Sequence, residues 1–132
     1  MVELDREACS RRLGAGGIGR AAVTVGALPA IFPVNFAVLD GDVVFRTGPG
    51  TKLDAAVAGA VIAFEIDHFD AFSHTGWSVL VVGTARPITD PGEQARAEHL
   101  PLTPWADGRR DTFVRIHAAK VTGRELTYTA SE

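Results

Sequence analysis

Cysteine is almost absent from this chain: Cys9 is the only one among 132 residues. An intrachain disulfide is therefore impossible, and a small secreted fold stapled by disulfides is excluded. Long apolar runs are missing too. The stretches around Val57 to Ile66 and Val79 to Val82 fall well short of the roughly 20 residues that span a bilayer as a helix. The amino-terminal "MVELDREACSRRL" alternates acid and base with no apolar core, so no signal peptide is expected. Neither charge is in excess: 13 basic and 16 acidic residues leave a formal net charge of -3, and the cations are scattered. That gives no electrostatic footprint for nucleic acid. A single cytoplasmic domain spanning 1–132, with no membrane and no nucleic-acid partner, is the expectation. Lysine is the last scarcity, with Lys52 and Lys120 set against eleven arginines.

What is present is mostly β pattern. Glu3 to Leu13 places Leu4, Ala8 and Leu13 on one helical stripe, and the glycines after it end the helix. From Ile18 the period changes to that of strands: "IGRAAVTVG", then "PAIFPVNFAVLD", then "DVVFRT" after an Asp40-Gly41 hairpin signal. Pro29 and Pro33 predict that the second of these is an edge or bulged strand, because proline cannot donate to a ladder. A short helix is expected around Leu53, Ala56 and Val57, with Gly59 past its end. "AVIAFEID" is the fourth strand, "HFDAFSHTG" a loop, and "WSVLVVGTARPIT" a long fifth strand in which Gly83 marks a bulge or close approach. Asp90 and Pro91 open another short helix. "PLTPWADGRRD" reads as a loop, and "TFVRIHAAKVTGRELTYT" as a bent strand or a hairpin turning at Gly123. The sum is a mainly β, six-stranded antiparallel barrel of Greek-key-like order with short helices.

Candidate chemistry concentrates in "VVFRTGPGTKLDAAVAG", residues 43–59. A strand ending in Arg46-Thr47, a Gly/Pro turn and a helix opening at Thr51-Lys52 bring hydroxyls, backbone N–H groups and cations toward one point, which are the parts of a phosphate site. The same pattern also describes solvated cations around an ordinary turn, and the local sequence does not separate the two. It is not a Walker loop, since GxxxxGK[ST] is missing. The glycines of Gly14 to Gly19 precede a strand rather than a helix, which rules out a dinucleotide fingerprint. Asp67, His68, Asp70 and His74 cluster without metal-ligand spacing and read as a polar loop. No nucleophile elbow accompanies Ser78, and Cys9 reads as a small packed hydrophobe. Phe36, Trp77, Trp105 and Phe113 fall near strand ends, where they serve either packing or a planar ligand.

Taken together, "GRAAVTV", "PAIFPVNFAV", "VVFRTGPGTKL", "VIAFEIDHFD", "GWSVLVVGTARPITD" and "PWADGRRDTFVRI" resemble, in order, the pyridoxamine 5′-phosphate oxidase-like family of flavin-binding split barrels. The chain is most similar to its short actinobacterial-type, nitroimidazole-reductase-like branch. The resemblance implies a split-barrel homodimer holding FMN at the subunit interface and acting on a small molecule. It implies that Arg46, Thr47, Thr51 and Lys52 hold the phosphate, and that Pro33, Val34, Asn35 and Phe36 run beside the isoalloxazine. Trp77 and Ser78 would face a flavin bound mainly by the other subunit. No catalytic acid or base is assigned, and no metal is expected. Ser78 and Thr51 depart from the authentic oxidase, as does the lack of its carboxy-terminal tryptophan and arginine pattern, so pyridoxamine phosphate oxidation is not the expected reaction. A 5-deazaflavin or haem is the alternative cofactor, and a non-catalytic flavin- or haem-binding protein the alternative function.

Overall fold

The computed structural model describes residues 2–102 and 112–127. Trp105, Arg109 and Arg110, and the loop predicted around them, lie outside these residues.

The element order is β1 (Val2–Leu4), α1 (Arg6–Gly14), β2 (Gly17–Val25), β3 (Leu28–Leu39), β4 (Asp42–Thr47), α2 (Lys52–Ala56), β5 (Val61–Asp70), β6 (Thr75–Pro87), α3 (Pro91–Glu98), β7 (Thr112–Ile116) and β8 (Lys120–Thr127). The sheet runs β1-β8-β6-β5-β2-β3-β4-β7, and β7 pairs again with β6. That last pairing closes β2 through β7 into the expected six-stranded antiparallel barrel, leaving β8 and β1 as a flap on the first half of β6. β6 can serve two neighbours because of its length: residues 75–82 pair with β8, and 85–87 pair with β7. Gly83 lies at the changeover. A Cβ there would sit 1.6 Å from the His117 carbonyl oxygen, so only glycine lets β6 pass that backbone.

Two-residue turns set the first hairpins. Asp40 and Gly41 both take positive φ between β3 and β4, the backbone hand that matches strand twist. The core is the inward set of alternating residues, with Phe36, Phe45, Phe64, Val43, Val79, Val81 and Val114 at 1% exposure or less. Phe36 meets Phe64 edge-on at 4.8 Å. Ala37, Leu39, Val44, Ile88, Ala97, Leu102 and Phe113 form a second cluster that seats α3.

The structure corrects several sequence boundaries. Glu3 and Leu4 belong to β1, paired with Gly123 and Arg124, and the helix starts one turn later because Asp5 caps it by accepting from Ala8 N–H at 2.8 Å. α2 is only five residues long. His68 to Asp70 and Thr75 to Gly76 are strand rather than loop. The β5–β6 hairpin closes on residues 71–74, where the Asp70 carboxylate accepts from Phe72 N–H at 2.9 Å. The last two strands separate at residues 117–119, not at Gly123. Gly123 instead makes room for α1, since a Cβ there would sit 2.6 Å from Cys9 Sγ. Cys9 itself is 1% exposed, as a packed hydrophobe should be, and burial raises its thiol pKa.

Candidate functional site

β3 carries the opening in the barrel. It pairs with β2 along residues 28–36, but with β4 only from Phe36↔Phe45 to Leu39↔Asp42. Among the described residues, 28–35 therefore present an edge with no strand beside it, and this is where Pro29 and Pro33 sit, as the missing proline donor requires. Inward alternation buries Val34 and Phe36, while exposed Pro33 and half-buried Asn35 take the outer face.

β4 continues past the parting as Arg46-Thr47, and the loop 48–50 leads into α2. Arg46 and Thr47 point to opposite faces, as neighbours in a strand must. The Arg46 guanidinium lies over Phe113, 4.9 Å from its ring centroid, and donates to the Leu102 carbonyl at 3.4 Å on the α3 side of the barrel. Thr47, 1% exposed, turns inward and donates to Asp54 Oδ1 at 2.9 Å. Asp54 Oδ2 accepts from Gly50 N–H at 3.2 Å. Thr51 caps α2: its Oγ1 accepts from Asp54 N–H at 3.1 Å and donates to the Gly48 carbonyl at 2.8 Å. Both threonine hydroxyls thus hold the loop in shape. Asp54 is the residue that local reading of this loop missed, although Thr51-x-x-Asp54 is a capping-box spacing that could have flagged it. What the loop leaves exposed is the Lys52 ammonium, which has no hydrogen-bond or ion-pair partner among the described residues.

Trp77 and Ser78 open β6 and also part company. Ser78 is opposite Asp67 on the outer face. Trp77 turns under α1, with the Arg12 guanidinium 4.7 Å from its ring centroid and His68 at 6.4 Å. Within one chain this pair is far from the loop. β5, β2 and β3 intervene in the sheet. By the other route Trp77 lies roughly 26 Å along β6 from Ala85, where that strand meets β7.

The outer face joins Pro33, Asn35 and Ser78 through a cluster with no local sequence signal, because its members are about 45 residues apart. Arg20, opposite Pro33 on one side and Glu65 on the other, donates from Nη2 to Glu65 Oε1 at 2.7 Å and to Asp67 Oδ2 at 2.5 Å. Burial, then the hydrogen bond to Asp67, raises the Glu65 pKa; the same hydrogen bond is the main cause of Asp67's lowered one. Two carboxylates this close favour sharing a proton. Among the described residues no group of three or more His, Cys, Asp or Glu is arranged to hold a metal ion, and no helix is long and apolar enough to cross a membrane.

A six-stranded ring, parted along β3 beside a cation-bearing loop, defines a split barrel. The family model described as pyridoxamine 5′-phosphate oxidase matches residues 5–125, and the chain belongs to that family. It is 44% identical over 128 residues to the uncharacterized protein Rv0080 of Mycobacterium tuberculosis, covering 93% of this chain and 84% of that one. Among solved structures it is similar to the FAD binding protein of Mycobacterium smegmatis, with 34% identity, a TM-score of 0.86, and coverage of 97% of this chain and 100% of that chain. The FAD and haem binding protein of the same organism shares the fold at 16% identity and a TM-score of 0.73, covering 98% of this chain and 75% of that one.

Proposed function

We propose that this chain is a flavin-dependent oxidoreductase that binds FMN between two copies of itself and acts on a small molecule. The observation that carries the reading is the unpaired edge of β3, residues 28–35, lying where the strand leaves β4 and the Lys52-bearing loop begins. An open strand edge offers backbone N–H and C=O groups to the heteroatoms of a planar ring, and an unpartnered ammonium offers a counter-ion to a phosphate. Lys52 holds the phosphate in this account, while Thr47, Thr51 and Asp54 hold the loop. Arg46 adds positive charge from the far face of β4 rather than a direct contact. Asn35, beside the open edge, orients the ring, and Val34 and Phe36 hold β3 from the core side. The bound flavin supplies hydride or electron transfer, and the protein binds it, orients it and excludes water.

Two further features support a homodimer. Trp77 and Ser78 are too far from the loop to complete a site in one chain. The outer face also exposes Ile18 at 63%, Ile31 at 67%, Val61 at 71% and Leu80 at 38% around the Arg20–Glu65–Asp67 cluster, large apolar side chains that a protein partner would cover. Identity to a protein described as FAD binding favours the dinucleotide flavin as a second reading. Side-by-side titration of FMN, FAD and a 5-deazaflavin, followed by flavin fluorescence, tests both. FMN or FAD binding tighter than the deazaflavin is expected; no binding of any of the three removes the proposal. Tight binding with no turnover of nitroaromatic or quinone acceptors by the reduced complex would instead support a non-catalytic carrier. A Soret band on haem reconstitution would make His68 and His74 the first axial ligands to test.

A further inference from the structure

Ala8, Arg11 and Arg12 share one face of α1, and Ala15, the residue that caps its carboxy-terminal end, continues that face. Together with Trp77 they line an open groove of about 410 Å³ between the helix and the start of β6. The two alanines leave the groove's floor without bulk. Arg12 is half-buried and lies over the indole, 4.7 Å from the ring centroid, which fixes the guanidinium without using its N–H donors. Among the described residues those donors have neither a hydrogen-bond acceptor nor a carboxylate partner. Among the described residues Arg11 is held only by Glu7 at 3.5 Å, with both side chains mostly exposed at 68% and 84%, a pairing that water weakens. Complementing the helix's carboxy-terminal carbonyls accounts for a positive charge in its last turn. It does not account for a guanidinium that is held over an indole and whose donors meet no acceptor among the described residues.

We propose that this groove binds a ligand carrying an oxyanion, a phosphate monoester or a carboxylate, on a small planar ring. The Arg12 fork takes two oxyanion oxygens, Arg11 supplies a second cation, and the ring packs along Trp77 and the alanine floor. The site is built from this chain alone and does not require a flavin. Its link to the proposed function rests on that reading: where Trp77 faces a flavin held by the partner copy, the groove receives the charged end of the substrate, which makes the substrate class a planar organic anion.

The test follows the Trp77 indole N–H resonance of the flavin-free protein, assigned by its survival in Trp105→Phe, during titration with phenyl phosphate, benzoate and uncharged benzyl alcohol. Saturable shifts with either anion and none with the alcohol are expected. A stronger response to phenyl phosphate assigns the source as phosphate, and a stronger response to benzoate as carboxylate. Arg12→Ala and Arg11→Ala should each weaken the anion by tenfold or more, about the worth of a charged hydrogen bond, and Arg12→Lys should restore only part because it loses the fork. An unmoved resonance, an equal response to benzyl alcohol, or unchanged affinity in Arg12→Ala overturns the proposal. FMN binding measured on the same variants separates failure of the groove from failure of the flavin reading.

Discussion

An exposed ammonium such as that of Lys52 contributes little to the fold, so its removal isolates ligand binding from stability. Lys52→Ala should weaken FMN binding by about 1–3 kcal/mol, read by fluorescence quenching, with an unchanged unfolding midpoint. Unaltered affinity would take the phosphate off Lys52. The opposite profile belongs to Gly83, where a methyl group would meet the His117 carbonyl at 1.6 Å. Gly83→Ala should cost about 3 kcal/mol or more, seen in urea unfolding. Ala27 is a third case: it holds φ 70 in the β2–β3 turn, which strains an L-residue by about 1 kcal/mol. Ala27→Gly should recover part of that, and a loss of stability would show the strain is not there. At this scale Lys52 drew attention by its rarity, and the close approach at Gly83 was legible from its place inside a strand pattern. Asp54 and the partnering of the threonine hydroxyls were not, because hydrogen bonds inside a turn depend on how the loop closes.

Secondary elements are held by charge as well as by apolar burial. α3 is tied to the barrel by Arg115, which donates to Asp42 at 2.8 Å and to Glu93 at 2.8 Å with all three side chains 12 to 16% exposed; Arg86 closes on Glu93 at 2.7 Å. Arg115→Ala leaves Asp42 with the Ala118 N–H and Glu93 with Arg86, and should cost about 1.5–3 kcal/mol, the worth of a charged hydrogen bond, whereas Arg86→Ala, more exposed, should cost less. The Arg86 hydrogen bond, then Arg115's, lowers the Glu93 pKa. Its stabilisation is therefore complete above the ordinary carboxylate range and is lost as pH falls through the depressed value. Glu65 runs the other way. With its pKa raised, the folded state keeps that proton longer than the unfolded chain, so Glu65's own contribution declines as pH rises from the ordinary carboxylate range through the raised value. Glu65→Gln should flatten that limb of a stability–pH profile and leave the Glu93 limb in place; an unchanged profile would show that Glu65 does not hold the proton. Most strands were readable from alternation and from Asp40-Gly41. The extension of β5 and β6 through His68 to Gly76 was not, because its polar, exposed residues gain strand geometry from pairing with each other and with β8 rather than from burial.

At the scale of the whole molecule, barrel closure depends on β6 meeting β7, a pairing between distant segments that local pattern does not announce; the six-strand count came from hairpin order and family resemblance. The same scale decides the site. Lys52 and the open edge of β3 lie in one region, and Trp77 and Ser78 in another, so in the proposed site one chain would supply two separate halves. The family resemblance already set Trp77 and Ser78 against the other subunit's flavin, and the strand order adds why one copy keeps them from the loop: β5, β2 and β3 intervene. Mixing two variants tests this most directly. Lys52→Ala and Trp77→Leu should each bind FMN poorly alone. After denaturation and joint refolding, random pairing should restore wild-type affinity in about a quarter of the sites, because each mixed dimer carries one intact site and one doubly defective one. If the mixture binds no better than its parents while both variants remain folded and dimeric, the flavin is not held between Lys52 of one copy and Trp77 of the other.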